Sequence, residues 1–409
     1  MPATQVPDKR QVQIAVGISA TILFGVVLVN ALGLSTLNHD FTSVYAGARI
    51  VSQGEGTRLY DLEKQAQVEE EVFHWRGLFA YNHTPFEAWF LAPLALLPYA
   101  AAYVIWGAVN IVLWVFFVYL MRPYAPVPRH PLQYLLLCFA FFPLWIALMQ
   151  GQTSILLLVS LALAFVSLKR RREVWAGVFL GLGLFKFSVV APLVCIFLLK
   201  GKWRLIAGFA GAACLLGVVS FMAVGREGII GYMNLLVDTM SRSAYRPSGI
   251  AVSQMPNLRG FFHALLASVL PGPFINGVVV LVSVFLIGYV AWRWRRQSSG
   301  EGPSFDLMFA AALAISQVTA YHLLIHDLSP MLIVVLLTLG STRYAEGSAW
   351  RATRTAVIVA LYVVPVCLLT FQVEPLYLLA PALVLLAWAA MAGSASLLEA
   401  GEPGLVPDR

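Results

Sequence analysis

Charge is what this sequence has least of: 11% of its 409 residues are Asp, Glu, Lys or Arg, against about 25% in soluble chains. So few ionisable groups cannot cover a water-soluble globule, and 60% of the residues are hydrophobic, with a mean hydropathy of +0.79. A soluble enzyme and a nucleic-acid-binding domain are both excluded. Cysteine is also scarce. The four present, Cys138, Cys195, Cys214 and Cys367, lie in apolar runs at spacings that match no zinc or redox motif, which excludes a disulfide-stapled module and makes them small buried hydrophobes. Internal repeats and low-complexity domains are missing too.

What is present is a series of apolar runs of membrane-crossing length. They fall at roughly 11 to 34, 99 to 121, 132 to 149, 153 to 168, 205 to 224, 274 to 292, 305 to 323, 328 to 340, 355 to 371 and 376 to 392. The expected fold is an all-α polytopic membrane protein, with roughly 10 to 13 transmembrane or re-entrant helices and a long first outer loop. Residues 1–395 would form one integral-membrane domain and 396–409 a cytoplasmic tail. The first run is too long for a signal peptide and is expected to stay as an anchor.

The net charge of +7 is read by side rather than as a total. Basic clusters stand at Lys9 and Arg10; at Lys169 to Arg172; at Lys200, Lys202 and Arg204; at Arg293, Arg295 and Arg296; and at Arg343, Arg351 and Arg354. Short basic loops stay cytoplasmic. That places 35–85, Gly151 and Gln152, 225–272 and the stretch around His326 on the outer side. Two runs do not fit as simple spans. Val174 to Leu199 holds Lys186 at its middle and should dip in from the cytoplasm as a hairpin with its tip near the outer side. Phe86 to Leu97, ended by Pro98, should be re-entrant or interfacial, which is tolerated where the backbone is packed in protein or lines a wet cavity.

The polar residues that remain carry the candidate chemistry. Asp40 begins an expected interfacial helix, where it reads either as an N-cap or as a catalytic acid or base. Lys186, inside an apolar hairpin, is costly unless it snorkels or meets an anion such as a lipid phosphate. Gln152 sits at a glycine turn from which it can donate to a ligand. His322 and His326 are spaced for one helical face with Asp327 beside them. Without a third ligand of equal quality a hydrogen-bonding role fits better than a metal. In the second outer loop Arg242, Arg246 and Arg259, with Tyr245, Gln254 and Asn257, could bind phosphate. The acids between Gly54 and Tyr81 read mostly as a solvated face.

Taken in order, several segments resemble glycosyltransferase family 87, bacterial integral-membrane enzymes of the GT-C fold. DFTSVYAGARI with Asp40 is similar to the opening acidic motif, and Tyr60 and Asp61 to the glycine and tyrosine that follow. Leu91 to Trp106 is similar to the most recognisable stretch, Gly151 to Lys186 to the GQ, AG, GL and K positions, and His326 to Leu328 to the final acidic motif. The resemblance runs from about residue 38 to 340. It implies a GT-C-like bundle in a bacterial cytoplasmic membrane, a polyprenyl-phosphate sugar, usually mannose, as donor, and a lipid or glycan acceptor on the periplasmic or extracellular side. It implies Asp40 as general base and Lys186 on the departing phosphate. Gln152, His326, Asp327, Arg259, Tyr81 and His83 are the remaining candidate substrate-binding residues. No cofactor or resident metal is required, although Asp40 with His39 could hold a divalent ion weakly.

Two segments depart from the pattern. Asn82, His83 and Thr84 precede Pro85 where the family usually has Tyr-Pro-Pro, and Phe187 and Ser188 follow Lys186 where it has Lys-Pro-Gln. Two other functions would also use polar groups in a membrane cavity. One is a flippase or transporter, which predicts symmetric halves that this sequence does not show. The other is a glycolipid-binding scaffold without activity.

Overall fold

The computed structural model describes residues 39–74, 78–125, 131–241, 252–296, 302–341, 348–370 and 376–399. The expected span at 11–34, the side chain of His39, and Arg242, Tyr245 and Arg246 lie outside the described residues. In chain order the helices are α1 His39–Ser52, α2 Leu62–Phe73, α3 Pro85–Leu91, α4 Tyr99–Met121, α5 Pro131–Phe139, α6 Phe142–Met149, α7 Ser154–Lys169 and α8 Glu173–Leu182. They continue as α9 Phe187–Lys200, α10 Trp203–Ser241, α11 Leu258–Leu266, α12 Gly272–Arg295, α13 Pro303–Thr319, α14 Met331–Gly340, α15 Ser348–Thr370 and α16 Leu379–Glu399. No strand occurs among the described residues.

This is an all-α, multi-pass membrane fold. Its centre is α13 and α14, largely apolar and buried along almost their whole length, with α16 packed on α13. Around them α4, α10 and α12 turn large apolar side chains outward: Met222 is 79% exposed and Leu281 70%. Such a surface needs a hydrocarbon solvent. Cys195 and Cys214 share that outward exposure, so only Cys138 meets the expectation of burial among the described cysteines. The helix α16 runs on to Glu399 with Leu397 buried, so its last turn takes up the first residues expected to be tail.

Length and composition alone would admit Glu173 to Lys200 as a single crossing. The geometry folds it back. Lys202 Nζ lies 2.6 Å from Glu173 Oε1, although a straight helix would hold these residues about 40 Å apart. The reversal is the 3₁₀ turn Gly183–Lys186, where a Cβ on Gly183 would stand 3.0 Å from Val190 Cγ2. The return leg α9 then leads into α10, which packs closely on α8 because two glycines face it: a Cβ on Gly177 would lie 1.9 Å from Leu205 O, and one on Gly208 2.1 Å from Val174 O. The hairpin drawn from Lys186 is therefore present, its tip at one end of α7 and its mouth at the other.

The expected straight span at 132–149 is instead α5 and α6, bent by 54°. Pro143 is the reason. It has no N–H for the Phe139 carbonyl and would clash with it in a continuous helix, and the indole of Trp145 donates to that carbonyl instead. The run at 86–97 forms only α3 and the short turn Leu94–Leu96. Neither is long enough to cross, and Arg49 Nη1 and Tyr45 Oη donate to the carbonyls of Ala95 and Leu97, which fixes the segment against α1.

Among the described residues between α1 and α3 most of the acids are exposed or partly exposed, as expected, but Asp61 and Glu69 are engaged in the local structure. Asp61 caps α2 by accepting from Glu63 N and Lys64 N, and pairs with Arg58. Glu69 is fully buried and accepts from Phe79 N at 2.9 Å. Burial pushes its carboxyl up to about 7 from 4.5. Between those values the folded chain holds a proton that the unfolded chain has released, so the stability of this segment falls as pH rises from 4.5 to about 7. Hydrogen exchange at the amides of α2 should lose protection over that window in the wild type and stay level in Glu69→Gln. Equal slopes in the two proteins would refute it.

Candidate active site

The site is assembled at the end of α7 opposite its basic terminus. At the basic end Lys169 Nζ meets Asp306 Oδ1 at 2.7 Å and Lys200 Nζ donates to Trp294 O. The other end begins with the turn before α7. Gly151 has φ of 63°, a conformation that glycine takes without steric cost, and its Cα faces the Phe41 ring so closely that a Cβ would stand 2.8 Å from it. Trp106 Nε1 donates to Gly151 O at 2.8 Å and Tyr103 Oη donates to Met149 O. The turn is held rigidly against α1, and the residue it delivers to Asp40 is Gln152.

Asp40 lies in the first turn of α1, and Oδ2 of its carboxylate accepts from Gln152 Nε2 at 2.9 Å. The other end of the same amide, Oε1, accepts from Lys186 Nζ at 2.9 Å. Turning the amide over would set its oxygen against the carboxylate and its NH₂ against the ammonium, so these two charges fix its orientation. Lys186 also lies 3.1 Å from Asp327 Oδ1. Asp327 is buried and further satisfied by Ser154 Oγ at 3.1 Å and Leu324 N at 3.0 Å. The line Asp40, Gln152, Lys186, Asp327 joins four elements far apart in sequence.

His322 and His326 do not share a helical face. The helix α13 ends at Thr319, and both lie in the irregular connection to α14. His326 Nδ1 pairs with Gln150 Oε1 at 2.7 Å, and its Nε2 is 3.4 Å from Asp327 Oδ1. Ser188, on the return leg of the hairpin, donates to His322 O at 3.0 Å. Arg259 is buried and not a solvated loop charge: its guanidinium stacks 4.1 Å over the ring of Tyr321, next to His322. Asn257 ties the start of α11 to the same connection by donating to Ala320 O.

Tyr81 is a packing residue in this structure. It is buried, its hydroxyl donates to Thr84 O, and its ring fills the space that the missing side chain of Gly47 leaves. His83 has its Nδ1 3.1 Å from Glu87 Oε1. Sequence reasoning passed over Glu87, Gln150 and Ser154. For Glu87 a signal existed, an acid four residues after a histidine inside an apolar run. For Ser154 and Gln150 there was none, since serine and glutamine at a helix end are ordinary.

No curated protein and no solved structure matches this chain. The pattern of glycosyltransferase family 87 matches residues 81–317, which takes in Gln152, Lys186 and Arg259 and leaves Asp40 and Asp327 outside the matched stretch. With an all-α membrane fold and more than half of its length matched, this chain belongs to glycosyltransferase family 87.

Proposed function

We propose that this membrane glycosyltransferase moves a hexose, mannose in the first instance, from a polyprenyl-phosphate sugar to a lipid or glycan acceptor. One observation carries the proposal: a single amide, Gln152, connects the carboxylate of Asp40 to the ammonium of Lys186 through two bonds of 2.9 Å.

In the reaction Asp40 removes the proton of the acceptor hydroxyl as that oxygen bonds to C1 of the sugar. The bond from C1 to the phosphate oxygen breaks on the opposite face, and its electron pair leaves with the polyprenyl phosphate. Lys186 meets the charge that grows there. The lipid phosphate departs without a proton, so one carboxylate suffices. Asp327, Ser154 and the backbone of Leu324 hold the lysine in place. Arg259 and His326 supply further polar groups beside the lysine, and Tyr81 packs beneath His83.

The positive-inside rule supports a side. Lys169, Lys200, Lys202 and Arg293 to Arg296 gather at the end of the bundle opposite Asp40, which points the site to the periplasmic or extracellular face of a bacterial cytoplasmic membrane. Mass spectrometry of glycolipids from cells with and without the protein is the test. A species that loses one hexose when the protein is absent, and regains it when vesicles holding the protein receive polyprenyl-phosphate mannose, is the expected result. Movement of the donor across those vesicles with no new glycosidic bond would instead identify a flippase.

A further inference from the structure

Glu87 has no part in the reaction described above, yet it is wholly buried in the first turn of α3. A buried carboxylate costs several kcal/mol unless it is paired. Its partner is His83, four residues earlier, whose Nδ1 lies 3.1 Å from one carboxylate oxygen and 3.2 Å from the other. The histidine is positioned as well: its carbonyl accepts from Tyr60 Oη at 2.7 Å, and its ring lies 5.4 Å from that of Tyr81. A carboxylate that accepts a hydrogen bond from Nδ1–H fixes the tautomer of the neutral ring and leaves the Nε2 lone pair as an acceptor. Among the described residues nothing donates to that nitrogen.

This pair stands beside the reacting groups. Phe86 and Phe90 of α3 pack edge-on against Phe185, the residue before Lys186, with ring centroids 5.0 and 5.9 Å away. The same helix packs on α1, which carries Asp40. His83 and Asp40 both lie within electrostatic range of His326.

We propose that His83, oriented by Glu87, accepts a hydrogen bond from a sugar hydroxyl and so selects which hexose is used. His83 is the specificity residue. Glu87, buried out of reach of substrate, is a positioning residue that acts through it. The inference rests on the transferase reading above. The hydroxyl belongs either to the donor hexose or to the acceptor glycan, and the same chemistry serves both.

The test compares wild type, His83→Ala, His83→Gln and Glu87→Gln on polyprenyl-phosphate mannose and on its analogues deoxygenated singly at C3, C4 or C6, away from the oxocarbenium centre. A second arm uses singly deoxygenated acceptors with the intact donor. In one arm, removing one hydroxyl should cost the wild type about 10- to 100-fold in kcat/KM. His83→Ala should lose a similar factor on the intact substrate and nothing further on that analogue. His83→Gln, whose amide oxygen can accept where Nε2 did, should regain part of the loss, and Glu87→Gln should lose discrimination with its unfolding temperature unchanged. If the penalties of His83→Ala and of every deoxygenation simply multiply, the specificity role is overturned while the transferase reading stands. Absence of transfer by the wild type would overturn both.

Discussion

Asp40→Asn is expected to bind the polyprenyl-phosphate donor and to transfer sugar about 10²- to 10⁴-fold more slowly, the range over which a positioned general base contributes. The substitution is almost isosteric. The new amide oxygen can still accept from Gln152 Nε2, so Gln152 and Lys186 keep their places and the leaving-group side of the site is preserved. What disappears is the capacity to take the acceptor proton as the C1 bond forms. A fall in kcat with little change in donor affinity therefore separates proton transfer from binding. Stopped turnover in vesicles, read against direct binding of labelled donor to the same preparation, checks it. Undiminished kcat would remove Asp40 from the mechanism.

The second large effect concerns Lys186, and here stability and activity have to be separated. Lys186→Met leaves the Asp327 carboxylate buried without its ammonium, and breaking a buried pair in this way typically costs about 3–5 kcal/mol. The single variant should unfold at a clearly lower temperature. Adding Asp327→Asn removes the orphaned charge, and the amide can still accept from Leu324 N, so the double variant should recover most of the stability. It should not recover transfer. A phosphate departing into a shielded site without a prepositioned cation forfeits about 10²- to 10³-fold, as loss of one oxyanion donor does elsewhere. If transfer returns together with stability, Lys186 is a structural ion-pair partner and the leaving phosphate is met by another group. Arg259, stacked on Tyr321 beside the same connection, is the first to examine in that event.

Much of the site was legible residue by residue. Lys186 stood out because a charge inside an apolar run is expensive, and that expense does not depend on the fold. Asp40 stood out as an acid directly after a hydrophobic run. Gln152 was no more telling than any polar residue at a turn, and its use as the bridge between them became visible only once Gly151 was seen to let Phe41 approach at positive φ. The histidine spacing misled. Positions four apart share a face only while the helix lasts, and α13 stops at Thr319, before either ring. The bend at Pro143 was present in the sequence as a helix-breaking residue, but length and hydropathy outweighed it until the Phe139 carbonyl was found satisfied by Trp145.

Composition by itself determined that this chain folds in a bilayer as helices. Backbone groups in hydrocarbon must bond within their own segment, and a chain with so little charge has no other solvent in which to expose its surface. Hydropathy and the basic clusters likewise pointed to the turn at Lys186 and to the polar residues at one end, whereas the run at 132–149 bends at Pro143 instead of running straight. Which of those residues touch was decided by tertiary structure alone. Asp40, Gln152, Lys186 and Asp327 come from four segments whose apolar faces are interchangeable at the level of sequence. Their convergence depends on close-packed shape: the glycine contact of α8 with α10, the Gly151 turn on Phe41, and the burial of Glu87 beneath His83. Shape complementarity of that kind arises between segments, and no single segment encodes it.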